Sequence, residues 1–129
     1  MQHSVEYYSV MLYPYPWPQM TVVCGAAGGM EYPMLVFCRG SSHEGLFNVT
    51  DHEIAHNWFP MIVNNDERMH AWMDEWFNTF LNHYSLEDFY GDKEHKPDVP
   101  KYDATKFKDQ RIAMNTPPDL LQSRRHLSY

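Results

Sequence analysis

No apolar run in this sequence approaches the ~20 residues that a membrane-spanning helix requires, although 43% of its 129 residues are hydrophobic. Basic residues are scarce: 10 Lys and Arg stand against 17 Asp and Glu, giving a formal net charge of -7. That balance disfavours nucleic acid as a partner, which calls for a basic face. It suits a site that attracts a metal cation or a substrate ammonium group. Cysteine is rarer still, and two residues are too few to indicate a redox compartment. Cys24 and Cys38 flank a small-residue turn and could face each other across a hairpin, but cross-strand geometry often strains a disulfide. They read rather as reduced, buried strand residues, since free cysteine behaves as a small hydrophobe. The opening Met1-Gln2-His3-Ser4-Val5-Glu6 is polar and has no apolar h-region. Internal repeats and low-complexity tracts are missing as well.

What is present points to a packed domain. Aromatic residues make up 16% of the chain, which argues for a globular core rather than disorder. Residues 1–129 amount to one domain at most, large enough for a core of its own. Residues 4–12 read as a helix with an aromatic and aliphatic face. Pro14, Pro16 and Pro18 must end it, and the Tyr13–Pro18 stretch reads as a rigid aromatic loop against the core. The β-branched run at 19–24 and the apolar run at 34–38 read as strands, with a flexible turn at Gly25-Ala26-Ala27-Gly28-Gly29 between them. A helix is expected at about 46–59, with Asn48, Thr50 and Asp51 as N-cap candidates and Pro60 at its end. A second is expected at about 67–84, where Met69, Trp72, Met73, Trp76, Phe77, Phe80 and Leu81 form a stripe of helical spacing that reads as core. Leu86–Tyr90 reads as a short helix ended at Gly91, residues 92–100 as a charged loop with prolines, and 103–114 and 118–128 as further helices.

The chemistry gathers in the two central helices. His52-Glu53-Ile54-Ala55-His56 places two imidazoles four residues apart, on one helix face. Glu53, next to the first, can reach a water at a shared metal as its base. One helix face cannot surround an ion, so a third ligand must come from another element. Glu75 follows after eighteen intervening residues, on the next helical pattern, and a polar turn at Asn64-Asn65-Asp66 folds that helix back beside the histidines. Two His and one Glu with an open fourth position is the ligand set of a hydrolytic zinc site. Asp74, adjacent to Glu75, reads equally as a residue that orients a ligand from behind or as an exposed carboxylate. His43 reads as a loop histidine and not a ligand, and His70 and His83 fall outside the ligand pattern and read as surface or satisfied core residues. Taken alone, the five-residue pattern is as easily a solvated His/Glu face. The capping candidates, the apolar Trp58-Phe59 and the returning Glu75 tip the balance.

The motif with Glu75 at this spacing resembles the gluzincin metallopeptidases, and specifically the M1 aminopeptidase family. Gly28-Gly29-Met30-Glu31-Tyr32 resembles that family's exopeptidase motif, Gly-x-Met-Glu-Asn, with Tyr32 in place of the usual Asn. Tyr13-Pro14-Tyr15-Pro16 resembles the segment leading into the preceding strand, and Leu127-Ser128-Tyr129 the helix that carries the family's catalytic tyrosine. These matches run in the family's order across nearly the whole chain. The resemblance implies an α+β, mostly helical catalytic domain of thermolysin-like type, with a small antiparallel sheet or hairpin. Its parts would be a strand region at 1–45, a zinc helix pair at 46–84 and a helical remainder at 85–129. It further implies that the chain is a piece of a longer protein whose other domains complete it.

The implied activity is removal of N-terminal amino acids from peptides. His52, His56 and Glu75 would hold Zn2+, Glu53 would be the base, and Tyr129 would donate to the oxyanion. Gly28 and Gly29 would let a peptide backbone approach closely, and Met30 and Glu31 would complete the substrate site, Glu31 meeting the free amino terminus. Two other readings stay open. One is a structural zinc site or an interaction fragment, although structural sites usually have four ligands rich in Cys. The other is a related gluzincin, an endopeptidase or a bifunctional hydrolase. The position of Glu31 separates them: a cleft-lining Glu31 favours an exopeptidase.

Overall fold

The computed structural model describes residues 1–67 and 69–91. Its elements in order are α1 (Gln2–Met11), β1 (Thr21–Cys24), β2 (Met30–Tyr32), β3 (Leu35–Cys38), α2 (His43–Ala55) and α3 (Ala71–Tyr90). The helices expected at 103–114 and 118–128 lie outside the described residues. No described helix is long and apolar enough to cross a membrane.

α1 stops at Leu12, two residues short of Pro14, because the residue before a proline is pushed away from helical angles. Its buried residues are Ser4 and Tyr8. In the proline loop beyond, Tyr15 packs on the core with its ring 5.3 Å from that of Trp58. The Trp58 indole donates to the Tyr13 carbonyl at 2.6 Å, whereas the Tyr13 side chain stays exposed.

The sheet departs from expectation: it is mixed, not antiparallel, with strand order β1-β3-β2. β1 runs parallel to β3, with Thr21 opposite Leu35 and Cys24 opposite Cys38. β2 runs antiparallel to β3, with Glu31 opposite Val36. The reversal happens at Pro33-Met34, where Met34 adopts a left-handed φ of 65°. Its N–H donates to the Asn57 side chain at 3.0 Å and its carbonyl accepts from Thr21 N–H at 2.9 Å. The small residues at 25–29 therefore carry the chain across to the far edge of β3 and do not close a hairpin. The strand missed in the sequence is β2 itself, three residues long and too short to show a period. Cys38 is buried, as expected, but Cys24 is exposed because β1 is an edge strand; both thiols are free.

α2 begins three residues earlier than expected and also ends earlier, at Ala55, so the chain leaves the helix before Phe59 and Pro60. Ser42 caps it, its hydroxyl accepting from Gly45 N–H at 3.0 Å, and His43 is its first residue. The proposed caps Asn48, Thr50 and Asp51 lie inside the helix, and Asp51 is fully buried. α3 starts at Ala71, later than expected, and runs on through the segment read as a separate short helix until Gly91, whose φ of +72° stops it.

The core comprises Tyr8, Val36, Cys38, Ile54, Ala55 and Trp58. The stripe on α3 read as core is a correction. Trp76, Phe77 and Phe80 are 54%, 45% and 57% exposed, and Met69 on the approach is 44% exposed, while Leu81 packs against the core. The face of α3 turned inward is polar: Asp74, Asn78, Asn82 and Ser85 are all buried. Helical spacing identifies a stripe, but which stripe faces in depends on what the neighbouring helix requires, and α2 presents polar groups.

Candidate metal centre

His52 lies in the last turn of α2 and His56, one turn on, is the residue that caps its C-terminus; their rings are nearly perpendicular at 89° with centroids 4.8 Å apart. Glu75, in the first turns of α3, reaches both. His52 Nε2 is 3.2 Å from His56 Nε2 and 3.2 Å from Glu75 Oε2, and His56 Nε2 is 3.7 Å from Glu75 Oε2. A tetrahedral zinc ion with bonds of about 2.0–2.1 Å keeps its ligands about 3.3 Å apart. The triangle fits such an ion.

The far sides of the rings point the same way chemically. His52 Nδ1 lies 2.8 Å from Asn82 Oδ1. His56 Nδ1 lies 3.0 Å from the Phe59 carbonyl and 3.1 Å from Asp74 Oδ1. All three partners are acceptors, which suits a proton on each Nδ1 and, with an ion bound, a lone pair from each Nε2; without an ion, Glu75 Oε2 is itself an acceptor facing both Nε2 atoms. Asn78 adds a fourth anchor, donating to the His52 carbonyl at 2.7 Å. α3 holds the two histidines through residues spaced four apart: Asp74, Asn78 and Asn82.

Glu53 is 6% exposed and its Oε2 has no hydrogen-bond partner among the described residues. Burial pushes its carboxyl up to about 7, with Glu31 and Glu75 adding to the rise and His52 and His56 opposing it. Burial alone would lower His56, but hydrogen bonds to Asp74 and Glu75 and the charge of Glu31 outweigh it and raise the ring to about 10. That reversal registers a strongly negative pocket of the kind that draws in a cation.

Gly29 is shaped by Glu53. A Cβ there would overlap Glu53 Oε1 and stand 3.1 Å from its Cδ, whereas a Cβ at Gly28 meets nothing within 4 Å. Gly29→Ala must displace the carboxylate without touching the ligand triangle. We expect the metal content to be unchanged by that substitution, read by elemental analysis against the parent chain.

Glu31, on β2, is half-buried, and one carboxylate oxygen lies within 4.8 Å of the ligand atoms of Glu53 and His56. Its neighbours Met30 and Tyr32 fall on the other face of the strand and are exposed. Tyr129, the expected oxyanion donor, lies outside the described residues. His43, His70 and His83 take no part: they begin α2, cap α3 and pair with Glu87 at 3.5 Å, respectively. Asp51, Asn78 and Asn82 were not singled out as site residues from the sequence. The signal was there in the four-residue spacing of 74, 78 and 82 on a helix whose apolar stripe drew the eye elsewhere.

Comparison with known proteins gives a consistent picture. The family model described as "Peptidase family M1 domain" matches residues 2–127. Aminopeptidase M1-C of Oryza sativa subsp. japonica is 32% identical over 92 residues, covering 60% of this chain and 10% of the relative. Aminopeptidase M1-A of the same plant is 31% identical over 100 residues, covering 66% and 11%. A leukotriene A-4 hydrolase homolog of Botryotinia fuckeliana is 28% identical over 95 residues, covering 68% and 15%. The chain spans between a tenth and a sixth of the length of such relatives. No solved structure gives a significant match.

Proposed function

The chain belongs to peptidase family M1, and on that footing we propose that it carries the zinc site and exopeptidase strand of an aminopeptidase. The observation that carries this reading is Glu31, whose carboxylate lies within 4.8 Å of the ligand atoms of Glu53 and His56. A peptide whose scissile carbonyl reaches the ligand triangle would set its free amino terminus against Glu31.

In this reading His52, His56 and Glu75 hold Zn2+, through the atoms that form the triangle. When bound, the ion supplies positive charge that acidifies a water and polarises the scissile carbonyl. Glu53 Oε2, buried and unpartnered among the described residues, takes the proton of the attacking water and passes it to the leaving amine. Gly29 keeps that carboxylate in place by leaving it room, and the open side of Gly28 admits the substrate backbone. Met30 flanks this strand, and Tyr129 is the resemblance-based donor to the oxyanion. The partners are a peptide with a free N-terminus and the further domains that the greater length of the relatives implies.

The test compares one peptide with a free and with an acetylated N-terminus. Release of single N-terminal residues is expected, with acetylation lowering kcat/KM on the order of 10²-fold, since it leaves a partly buried carboxylate without its cation. Glu31→Gln should erase most of that preference. Equal cleavage of both peptides, or cuts in the interior, would sink the aminopeptidase assignment in favour of an endopeptidase.

A further inference from the structure

Asp51 precedes His52 in the chain but points away from the metal centre, into the interior between α1, α2 and α3. It is fully buried. Its Oδ2 accepts from the Tyr8 hydroxyl at 2.7 Å and from Asn82 Nδ2 at 3.0 Å, and its Oδ1 accepts from the Ser85 hydroxyl at 2.7 Å. Asn82 Nδ2 also lies 2.9 Å from Tyr8 Oη. The other end of the same amide, Oδ1, meets His52 Nδ1 at 2.8 Å. Among the described residues no Lys or Arg takes part in these contacts; hydrogen bonds hold both carboxylate oxygens.

We propose that Asp51 is a positioning residue that sets the tautomer of His52 through the amide of Asn82. The inference rests on the zinc-site reading above and deepens it. An amide side chain has a donor end and an acceptor end, and either can be swung towards a neighbour at little cost. A histidine ring beside it follows suit: facing the oxygen it protonates Nδ1, and facing the nitrogen it protonates Nε2, where Glu75 Oε2 at 3.2 Å offers a competing acceptor that the orientation of Asn82 must outweigh. Only the first leaves Nε2 able to bind a metal ion. A carboxylate has acceptors alone, so Asp51 admits one orientation of Asn82, with its NH2 towards Asp51 and its oxygen towards His52. Tyr8 and Ser85 hold the carboxylate in place by donating to its two oxygens. The charge that holds His52 in its metal-binding form sits one side chain further away than in a direct carboxylate–imidazole pair.

This differs from a merely structural role for a buried polar cluster, which predicts loss of stability alone. Asp51→Asn keeps the volume but adds a donor at position 51, so Asn82 can turn over and offer its NH2 to His52. The double variant D51N/N82D moves the carboxylate next to His52 and the amide to position 51. It keeps one acid and one amide in the cluster and forces the same tautomer directly.

Two readouts on the 129-residue chain decide the matter. The first is the His52 tautomer of the zinc-free protein, at a pH where the ring is neutral, from long-range proton–nitrogen correlation spectra. The second is zinc affinity by competition with a chromophoric chelator. We expect Nδ1–H in the parent chain, a mixture of tautomers in D51N with zinc affinity down about 10–100-fold, and recovery of both in D51N/N82D. An Nε2–H ring in the parent chain would overturn the proposal. So would D51N with the parent's tautomer and affinity, whatever its melting temperature, or a folded double variant as weak as D51N. Because the tautomer is read without zinc or substrate, failure here is separable from failure of the aminopeptidase reading, which shows in the peptide assay.

Discussion

Glu53→Gln should lower peptide hydrolysis about 10²–10⁴-fold, the range of a lost general base, and leave about one zinc per chain, as a site with three protein ligands predicts. The substitution keeps the shape that Gly29 accommodates, so the close fit against Glu53 Oε1 survives. What it removes is the acceptor at Oε2, buried and without a partner among the described residues. Glu53 also belongs to a second group of possible ligands, with Glu31 and His56. The paired measurement therefore separates two roles. Turnover lost with zinc retained makes Glu53 the base. Zinc lost along with turnover would make it a ligand and move the metal towards β2.

Glu75→Ala should take zinc affinity down well beyond the about 10–100-fold that removal of an outer partner costs. In elemental analysis against a competing chelator, zinc should fall from about one per chain to near none. The argument is geometric. His52 and His56 sit on one helix and present two lone pairs from the same side, whereas Glu75 Oε2, 3.2 and 3.7 Å from them, closes the triangle from α3. Without it an ion is held by one face only. Retention of zinc by the variant would overturn the ligand assignment of Glu75.

Much of this centre was legible because its grammar is short-range. His52 and His56 are four residues apart on a helix, and a polar turn returning a second helix to the first is all that Glu75 needs. The supporting layer was not legible. Asp51 looked like a helix cap because Asp is a good one, yet Ser42 supplies the cap and Asp51 is buried among Tyr8, Asn82 and Ser85, two of which lie more than thirty residues downstream and one far upstream. Nothing local in the sequence marks such a meeting. The apolar stripe of α3 misled for a related reason. Periodicity shows that Trp76, Phe77 and Phe80 share a face, but not that Asp74, Asn78 and Asn82 on the other face are the ones α2 requires. The sheet failed at a single point: with β2 unseen, β1 and β3 were joined as neighbours in sequence, and two strands so joined are naturally read as a hairpin.

The Tyr8 hydroxyl has one more implication. It belongs to α1, yet it shares Asp51 and Asn82 with the helices that bear the proposed metal ligands. Were α1 to peel away, the interior would be left with a carboxylate short of a donor, which costs on the order of 1–3 kcal/mol or more for a charged group. We expect the first eleven residues and the two site helices to open together, so that in hydrogen exchange the amides of α1 gain and lose protection with those around His52. A ligand that tightens the centre would be felt as slower exchange at the far end of the chain's first helix, with no atom of that helix touching it.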